Sequence, residues 1–390
     1  MTHPLRGVAA VVGVADEVSA DGELDVPIRE LEARVVSAAL ADAGIALAEV
    51  DGVCTTTGGT LLHSVELAEY LGIRPRWTNS TQIGGASYEL YVQQAAAAIA
   101  AEECETVLIV YAATPRAARR RGGGGLAMLV TDERRQWEMP FGLFPPIGAY
   151  ALAADRHMAR YGTRAEDLAR IAVHTREWAV RNPRAHLREP VTVEEVLGSG
   201  SIAEPLHRLE CCLVTDGAGA VVVTSAERAK DLARPSVALL GAGTHHTHAM
   251  ISQMPDLTVT PGVESGRRAF EMAEIAPSEV DLVELYDSFT ITVLLALEDL
   301  GFCPKGEGGR FVADGALSPG GPLPGQTGGG GLAYTHPGAF GVFLLVEAVR
   351  QLRGEAGDRQ VPGAEVAVAH GCGGVLSATS TVVLGTEATL

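Results

Sequence analysis

Three short segments of this chain hold side chains that could move a proton. Tyr286 and Asp287 stand together in "VELYDSF", Tyr334 lies two residues before His336 in "AYTHPGAFG", and His370 precedes Gly371, Cys372, Gly373 and Gly374. A phenol titrates near 10, so a tyrosine acts as a base only with help from a nearby donor or cation. Backbone N–H groups of a glycine run such as Gly371 to Gly374 can face an oxyanion. Cys372 is the thiol within these segments, and a thiol becomes a nucleophile only where its surroundings favour the thiolate. Other signals are poorer. "THHTH" (Thr244 to His248) has no carboxylate or Cys framing it, so no metal is expected. "GAGTHH" lacks the third glycine of a dinucleotide fingerprint, and the four-glycine runs do not match a phosphate-binding loop.

The elements that must position these residues come in two similar sets. A helix-periodic segment, Leu31 to Ala43, leads into Glu49-Val50-Asp51 and a strand. A second, Ala269 to Glu274, leads into Glu279-Val280-Asp281 and a strand. "TVLIVYAA" (Thr106 to Ala113) is matched by "EVAVAHGC" (Glu365 to Cys372), which follows a helix over Phe340 to Arg353. Each set closes on a β-branched run, Gly219 to Ser225 and Ser380 to Thr386. Short apolar runs of this kind read as buried strands. Three matched features in one order imply two duplicated α/β units packed together. We divide the chain into a first half (1–113 and 207–230), an inserted cap (114–206) and a second half (231–390). The cap holds a Gly-rich loop, Gly122 to Gly125, and helices around Tyr150–Tyr161 and Ala165–Val180.

Composition narrows the function. Lys and Arg number 30 against 48 Asp and Glu, for a net charge of −18. That balance argues against nucleic acid, which needs clustered cations to neutralise phosphates. The dense basic run Arg116, Arg119, Arg120 and Arg121 reads as a solvated loop face. With 47% hydrophobic and 20% charged residues the chain is globular. No stretch reaches the roughly 20 apolar residues of a membrane span, and Leu5 to Ala15 reads as a first strand. Six Cys without a C-x-x-C indicate neither a disulfide scaffold nor a zinc knuckle. A cytoplasmic protein is expected.

The segments "AADRHMARYGT", "NPRA", "LECCLVTDGAGAVVVTS", "VELYDSF", "YTHPGAFG" and "AHGCGG" resemble, in order and spacing, the sterol-carrier or lipid-transfer-protein branch of the thiolase superfamily. The resemblance covers nearly the whole chain. It implies a duplicated thiolase fold, two βαβαβαββ halves in five α-β-α-β-α layers with an inserted loop domain. It also exposes departures. Gly84 falls where a thiolase of this family carries its nucleophilic Cys, and Ser87 is three residues further on. The second thiolase Cys matches about Gly371, with Cys372 one position away. His336 corresponds to the His of the G-H-P motif, and Pro337 would open the following helix. Tyr286 stands where the relatives commonly have His.

This combination resembles the actinobacterial lipid-transfer-protein aldolases of steroid side-chain degradation. The resemblance implies retro-aldol cleavage of a β-hydroxyacyl-CoA to a ketone and a short acyl-CoA such as propionyl-CoA. It implies no cofactor beyond the coenzyme A of the substrate, a homodimer, and an OB-fold partner of the DUF35 type. On this reading one of Tyr334 and Tyr286 is the base and the other the acid that protonates the enolate; we assign Tyr334 as base, with His336 near enough to tune it or to bind the thioester oxygen, and the reverse assignment of the two phenols stays open. His370, Gly371, Cys372, Gly373 and Asp287 are candidates for oxyanion or substrate binding. Two other readings stay open: an acyltransferase working through Cys372 or a partner thiol, and a catalytically silent subunit that binds lipid-CoA.

Overall fold

The computed structural model describes residues 2–57, 61–122 and 130–390. Gly123 to Gly125 of the expected cap loop lie outside the described residues.

The first half runs β1 (Ala9–Val18), α1 (Ile28–Ala43), β2 (Gly52–Thr55), α2 (His63–Leu71), β3 (Trp77–Asn79), α3 (Ser87–Ala100) and β4 (Thr106–Ala113). The cap follows, with α4 (Pro115–Arg120), α5 (Asp132–Trp137), α6 (Ile147–Tyr161), α7 (Ala165–Val180), α8 (Val193–Leu197) and a hairpin of β5 (Ser201–Ala203) and β6 (Leu206–His207). β7 (Gly217–Ser225) and α9 (Ala226–Ala229) close the first half. The second half holds β8 (Val237–His246), α10 (Gly262–Ala273), β9 (Leu282–Leu285), α11 (Thr290–Asp299), α12 (Gly308–Ala313), α13 (Gly341–Leu352), β10 (Val366–Gly373) and β11 (Ala378–Gly385). The basic run is the helix α4 and its end, with Arg120 and Arg121 paired to Asp25 on the surface.

The strands line up as β3-β2-β4-β7-β1-β8-β11-β10-β9. The halves join where β1 meets β8, at Ala10–Ala238 and Val11–Val237 only. Helices α3 and α13 pack against strands of both halves, while α1 covers the first half and α10 the second. This gives the five layers. A helix held between the two halves of the sheet must be apolar on every side. Accordingly α3 buries Tyr88, Tyr91, Val92, Ala95 and Ala96 almost completely, and with them the carboxyl of Glu89.

The repeated Glu-Val-Asp has a mechanical reason. Glu49 accepts the N–H of Ala46, and Glu279 that of Ala276. Asp51 then accepts the N–H groups of Glu105 and Thr106, tying β2 to the start of β4. Asp281 does the same for Glu365 and Val366 at the start of β10. The same staple is built twice.

The halves are not equal. In the first, β3 flanks β2 as a regular parallel strand. In the second, Pro322-Leu323-Pro324-Gly325 takes that place and makes a single bridge, Val283 with Gly325. Proline cannot donate to a ladder, so no full strand forms. The second half is therefore one regular strand short of the expected βαβαβαββ.

Candidate active site

Gly84 and Gly85 form the turn that enters α3, and the end of β10 presses on it. A Cβ at Gly84 would come within 2.8 Å of Gly373 Cα and Gly374 N, and Gly84 has φ +68°. A Cβ at Gly85 would meet the Tyr286 ring at 2.1 Å and Cys372 O at 2.6 Å. Gly84, the position where the resemblance to thiolases would place a nucleophile, is thus closed by backbone. Ser87 offers no substitute, because its hydroxyl accepts from Ile83 N and donates to Gly84 O.

Tyr286 follows β9 directly, and its N–H is held by His370 O. Its hydroxyl donates to Gly338 O at 2.9 Å, accepts from Phe340 N at 3.2 Å and lies 3.1 Å from His336 Nε2. Burial pushes this phenol well above its ordinary value. Burial also pulls His336 down to about 4, so the imidazole is neutral at pH 7. His336 is the more accessible partner, half-buried where Tyr286 is 4% exposed. Thr215 fixes the His336 backbone, since its hydroxyl accepts the His336 N–H at 2.8 Å. The expected helix start at Pro337 is not formed. Gly338 has φ +128°, outside the helical region, and α13 begins at Gly341.

Asp287 is a clamp. Its carboxylate accepts the N–H of Gly331 at 2.6 Å and of Leu332 at 3.1 Å. These donors belong to the π-helical turn Gly330–Tyr334. A Cβ at Gly330 would strike the same carboxylate at 2.1 Å, so glycine is required there. Burial raises the Asp287 carboxyl to about 7.

Tyr334 stands at the end of that turn, and its hydroxyl donates to Asp16. Asp16 also receives Arg184 at 2.8 Å and Arg350 at 2.6 Å. Burial alone would raise the Asp16 carboxyl, but Arg350 and Arg184 override it and hold it well below the carboxylate range. Burial and the Asp16 charge push the Tyr334 phenol up. The expected tuning of Tyr334 by His336 is therefore corrected. His336 bonds Tyr286, and the cations beside Tyr334 are Arg184 and Arg350.

Two further expectations change. The run Gly371 to Gly373 is not a loop but the end of β10, paired with Ser380 to Ala378. Gly371 seats the Glu89 carboxyl and Gly373 the Ile83 carbonyl, at distances no side chain would permit. Side chains alternate along a strand. His370 consequently faces the other way, bonded through Nδ1 to Thr381 at 2.8 Å beside Gly262 of α10. Cys372 is buried, and burial raises its thiol to about 12.

Sequence reasoning missed Asp16, Arg184, Arg350, Thr215 and Glu89. Arg184 lies inside "NPRA" and Thr215 inside the "VTDGAG" segment, so both sat within recognisable motifs. Asp16, Arg350 and Glu89 carried no local signal. Among the described residues no three His, Cys, Asp or Glu side chains gather as a metal site. No helix there is long and apolar enough to cross a membrane.

Comparison with known proteins adds identity to this geometry. Residues 243–386 match the family model of the thiolase C-terminal domain. A steroid side-chain-cleaving aldolase of Thermomonospora curvata is 35% identical, over 98% of this chain and 99% of that protein. A 17-hydroxy-3-oxo-4-pregnene-20-carboxyl-CoA lyase of Mycobacterium tuberculosis is 35% identical, over 90% of this chain and 92% of its own. The solved Ltp2-ChsH2(DUF35) aldolase superposes with a TM-score of 0.88 at 33% identity, covering 98% of this chain and 99% of that one. The chain belongs to the thiolase superfamily, in the branch of the steroid side-chain-cleaving aldolases.

Proposed function

We propose that this protein is a carbon–carbon lyase that cleaves a β-hydroxyacyl-CoA by a retro-aldol step. The products are a ketone and a short acyl-CoA such as propionyl-CoA, and the substrate is a steroid side-chain thioester. One observation carries the reading. The nucleophile position is a glycine closed by Gly373, and beside it stands the hydrogen-bonded pair Tyr286–His336. Such a site lacks an acyl acceptor but keeps groups that move protons. The names of the full-length relatives support the steroid thioester.

Each phenol has its own helper. Tyr334 directs its proton at Asp16, which leaves the lone pairs of its oxygen for the substrate hydroxyl. Tyr334 takes the β-hydroxyl proton as its phenolate, which Arg184 and Arg350 favour, while Asp16, held ionised by the same two cations, orients the phenol by accepting its hydrogen bond. Burial and the Asp16 charge keep that phenolate a minor form, reached by loss of the phenol proton to solvent, and the proton taken from substrate is released the same way after the products leave. The carbon–carbon bond then breaks, the ketone leaves, and the electron pair passes to the thioester enolate. Tyr286 delivers its proton to the enolate carbon, Nε2–H of His336 passes to the phenolate, and the half-buried imidazole takes a proton back from solvent.

The protein works as a homodimer with an OB-fold partner of the DUF35 type, in the cytoplasm. Support for the dimer is β3, an edge strand beside the exposed Leu61, Leu62, Val65 and Tyr70. Support for the partner is the full-length superposition on the Ltp2-ChsH2(DUF35) aldolase. All six Cys are free thiols, as suits a reducing compartment.

The test is turnover of a β-hydroxyacyl-CoA with a tertiary ring hydroxyl, with and without the DUF35-type partner. Ketone and short acyl-CoA should form in equal amounts, with no acyl adduct on the intact protein by mass spectrometry. An adduct would make the protein an acyltransferase. No products with the partner present would make it a silent subunit.

A further inference from the structure

The turn Pro337–Phe340 is gripped from two sides. On one side is Tyr286, bonded to Gly338 O and Phe340 N. On the other is Tyr111, from β4 of the first half. The Tyr111 hydroxyl donates to Pro337 O at 3.0 Å and accepts the Ala339 N–H at 3.0 Å. The fit is close, since a Cβ at Gly338 would come within 2.9 Å of that same hydroxyl. Four successive residues thus give one backbone group each, alternately to one phenol and to the other. His336 is the residue immediately before this turn.

We propose that Tyr111 is a positioning residue, which sets the turn so that His336 Nε2 and Gly338 O meet the Tyr286 hydroxyl. The proposal rests on the reading that the Tyr286–His336 pair moves the proton. The Tyr111 hydroxyl bonds the turn's backbone, whereas that of Tyr286 also meets the His336 ring, so Tyr111 reaches the pair through the turn. The reason it matters is geometric. A misplacement of about 1 Å in a reacting group can cost about 10²-fold in rate. Without the hydroxyl, Pro337 O and Ala339 N lose their shared partner, and Tyr286 grips the turn from one side alone.

Tyr111→Phe removes that one oxygen. Tyr88→Phe is its control. Tyr88 packs edge-on against Tyr111 at 5.4 Å and spends its own hydroxyl on Thr56, away from the turn. We expect Tyr111→Phe to lower kcat about 10- to 100-fold with KM nearly unchanged, on the misplacement scale. Tyr88→Phe should keep kcat within about twofold, since it breaks no contact to the turn. A second readout needs no turnover. In histidine-labelled protein followed by NMR, wild-type His336 should stay neutral down to about pH 4. Tyr111→Phe should move that titration toward the ordinary value as the ring gains water, and Tyr88→Phe should not. Gly338→Ala, which crowds the same contact, should mimic Tyr111→Phe and serves if that variant folds poorly. Unchanged His336 titration in both Tyr111→Phe and Gly338→Ala would overturn the proposal. Equal effects of Tyr88→Phe and Tyr111→Phe would do so too. If the wild type cleaves no thioester, the functional reading fails while the NMR comparison still decides the role of Tyr111.

Discussion

The Tyr286 hydroxyl lies 3.1 Å from His336 Nε2, with the two rings at 90° to each other. The phenol is buried and the imidazole is the half that faces outward. Tyr286→Phe removes the hydroxyl and almost no volume. A positioned acid is worth about 10²–10⁴-fold, so retro-aldol turnover should fall at least about 10²-fold with little change in acyl-CoA affinity. If Tyr286 is the acid, single-turnover assays should still release ketone while the enolate waits for a proton from water. Wild-type rates in this variant would make the phenol structural.

Tyr334→Phe should also cost at least about 10²-fold, but here neither product should appear, because the bond never breaks. Asp16→Asn tests the helper and reads out in stability as well. It leaves Arg184 and Arg350 without their shared carboxylate. Breaking a buried ion pair from one side costs about 3–5 kcal/mol. Both guanidiniums are partly solvated, so a loss at or below the lower end, about 3 kcal/mol, is expected in urea unfolding.

Stability should depend on pH from two directions. His336 and His370 are pulled down to about 4 by burial. The unfolded chain takes up those protons first, so stability is full above about 6.5 and falls as pH drops toward 4. Glu89 goes the other way. Among the described residues its two oxygens have no hydrogen-bond partner, and burial raises it to about 8. Its contribution is full below the unfolded carboxyl value and is lost as pH rises toward 8. Glu89→Gln should therefore gain on the wild type by up to about 1.4 kcal/mol per pH unit across that window. Thermal melts at pH 5 and pH 8 measure it, and parallel curves would refute it.

Cys372→Ala should keep most activity, and iodoacetamide should inactivate slowly. The thiol is buried and raised to about 12, so little thiolate exists at neutral pH. A loss of about a thousandfold or more, the scale of removing a nucleophile, would return the protein to the acyltransferases.

The dimer prediction rests on a surface. Val65 and Tyr70 of α2 are exposed beside the edge strand β3. The wild type should scatter light as a dimer, and Val65→Asp with Tyr70→Asp should shift it toward monomer. A fully active wild-type monomer would refute the assembly.

Much of the fold could be read from the sequence because its signals are local. "TVLIVYAA" is β4 residue for residue, and each glutamate of the Glu-Val-Asp repeat closes a turn on the N–H three residues before it. The site was legible where a motif carried it, as with His336 and Tyr286. What pairs with what was not. Asp16 and Tyr334 meet across 318 positions of sequence, and Tyr111 and Pro337 across 226. No periodicity reports such contacts. The setting of His370 is hidden for a different reason. Its neighbours are glycines that suggest a loop, yet strand pairing fixes its face.

The contact between Gly84 and Gly373 has a historical consequence. A chain at this point cannot regain a thiol nucleophile by one substitution. A cysteine at 84 would need a left-handed backbone and would drive its Cβ into Gly373 and Gly374. The end of β10 would have to retreat first, and β10 also holds Tyr286, whose N–H donates to His370 O. Each single step back would weaken the present site before it served the former one. The glycine pair therefore works as a ratchet: no single substitution at this turn turns the site toward covalent acyl transfer.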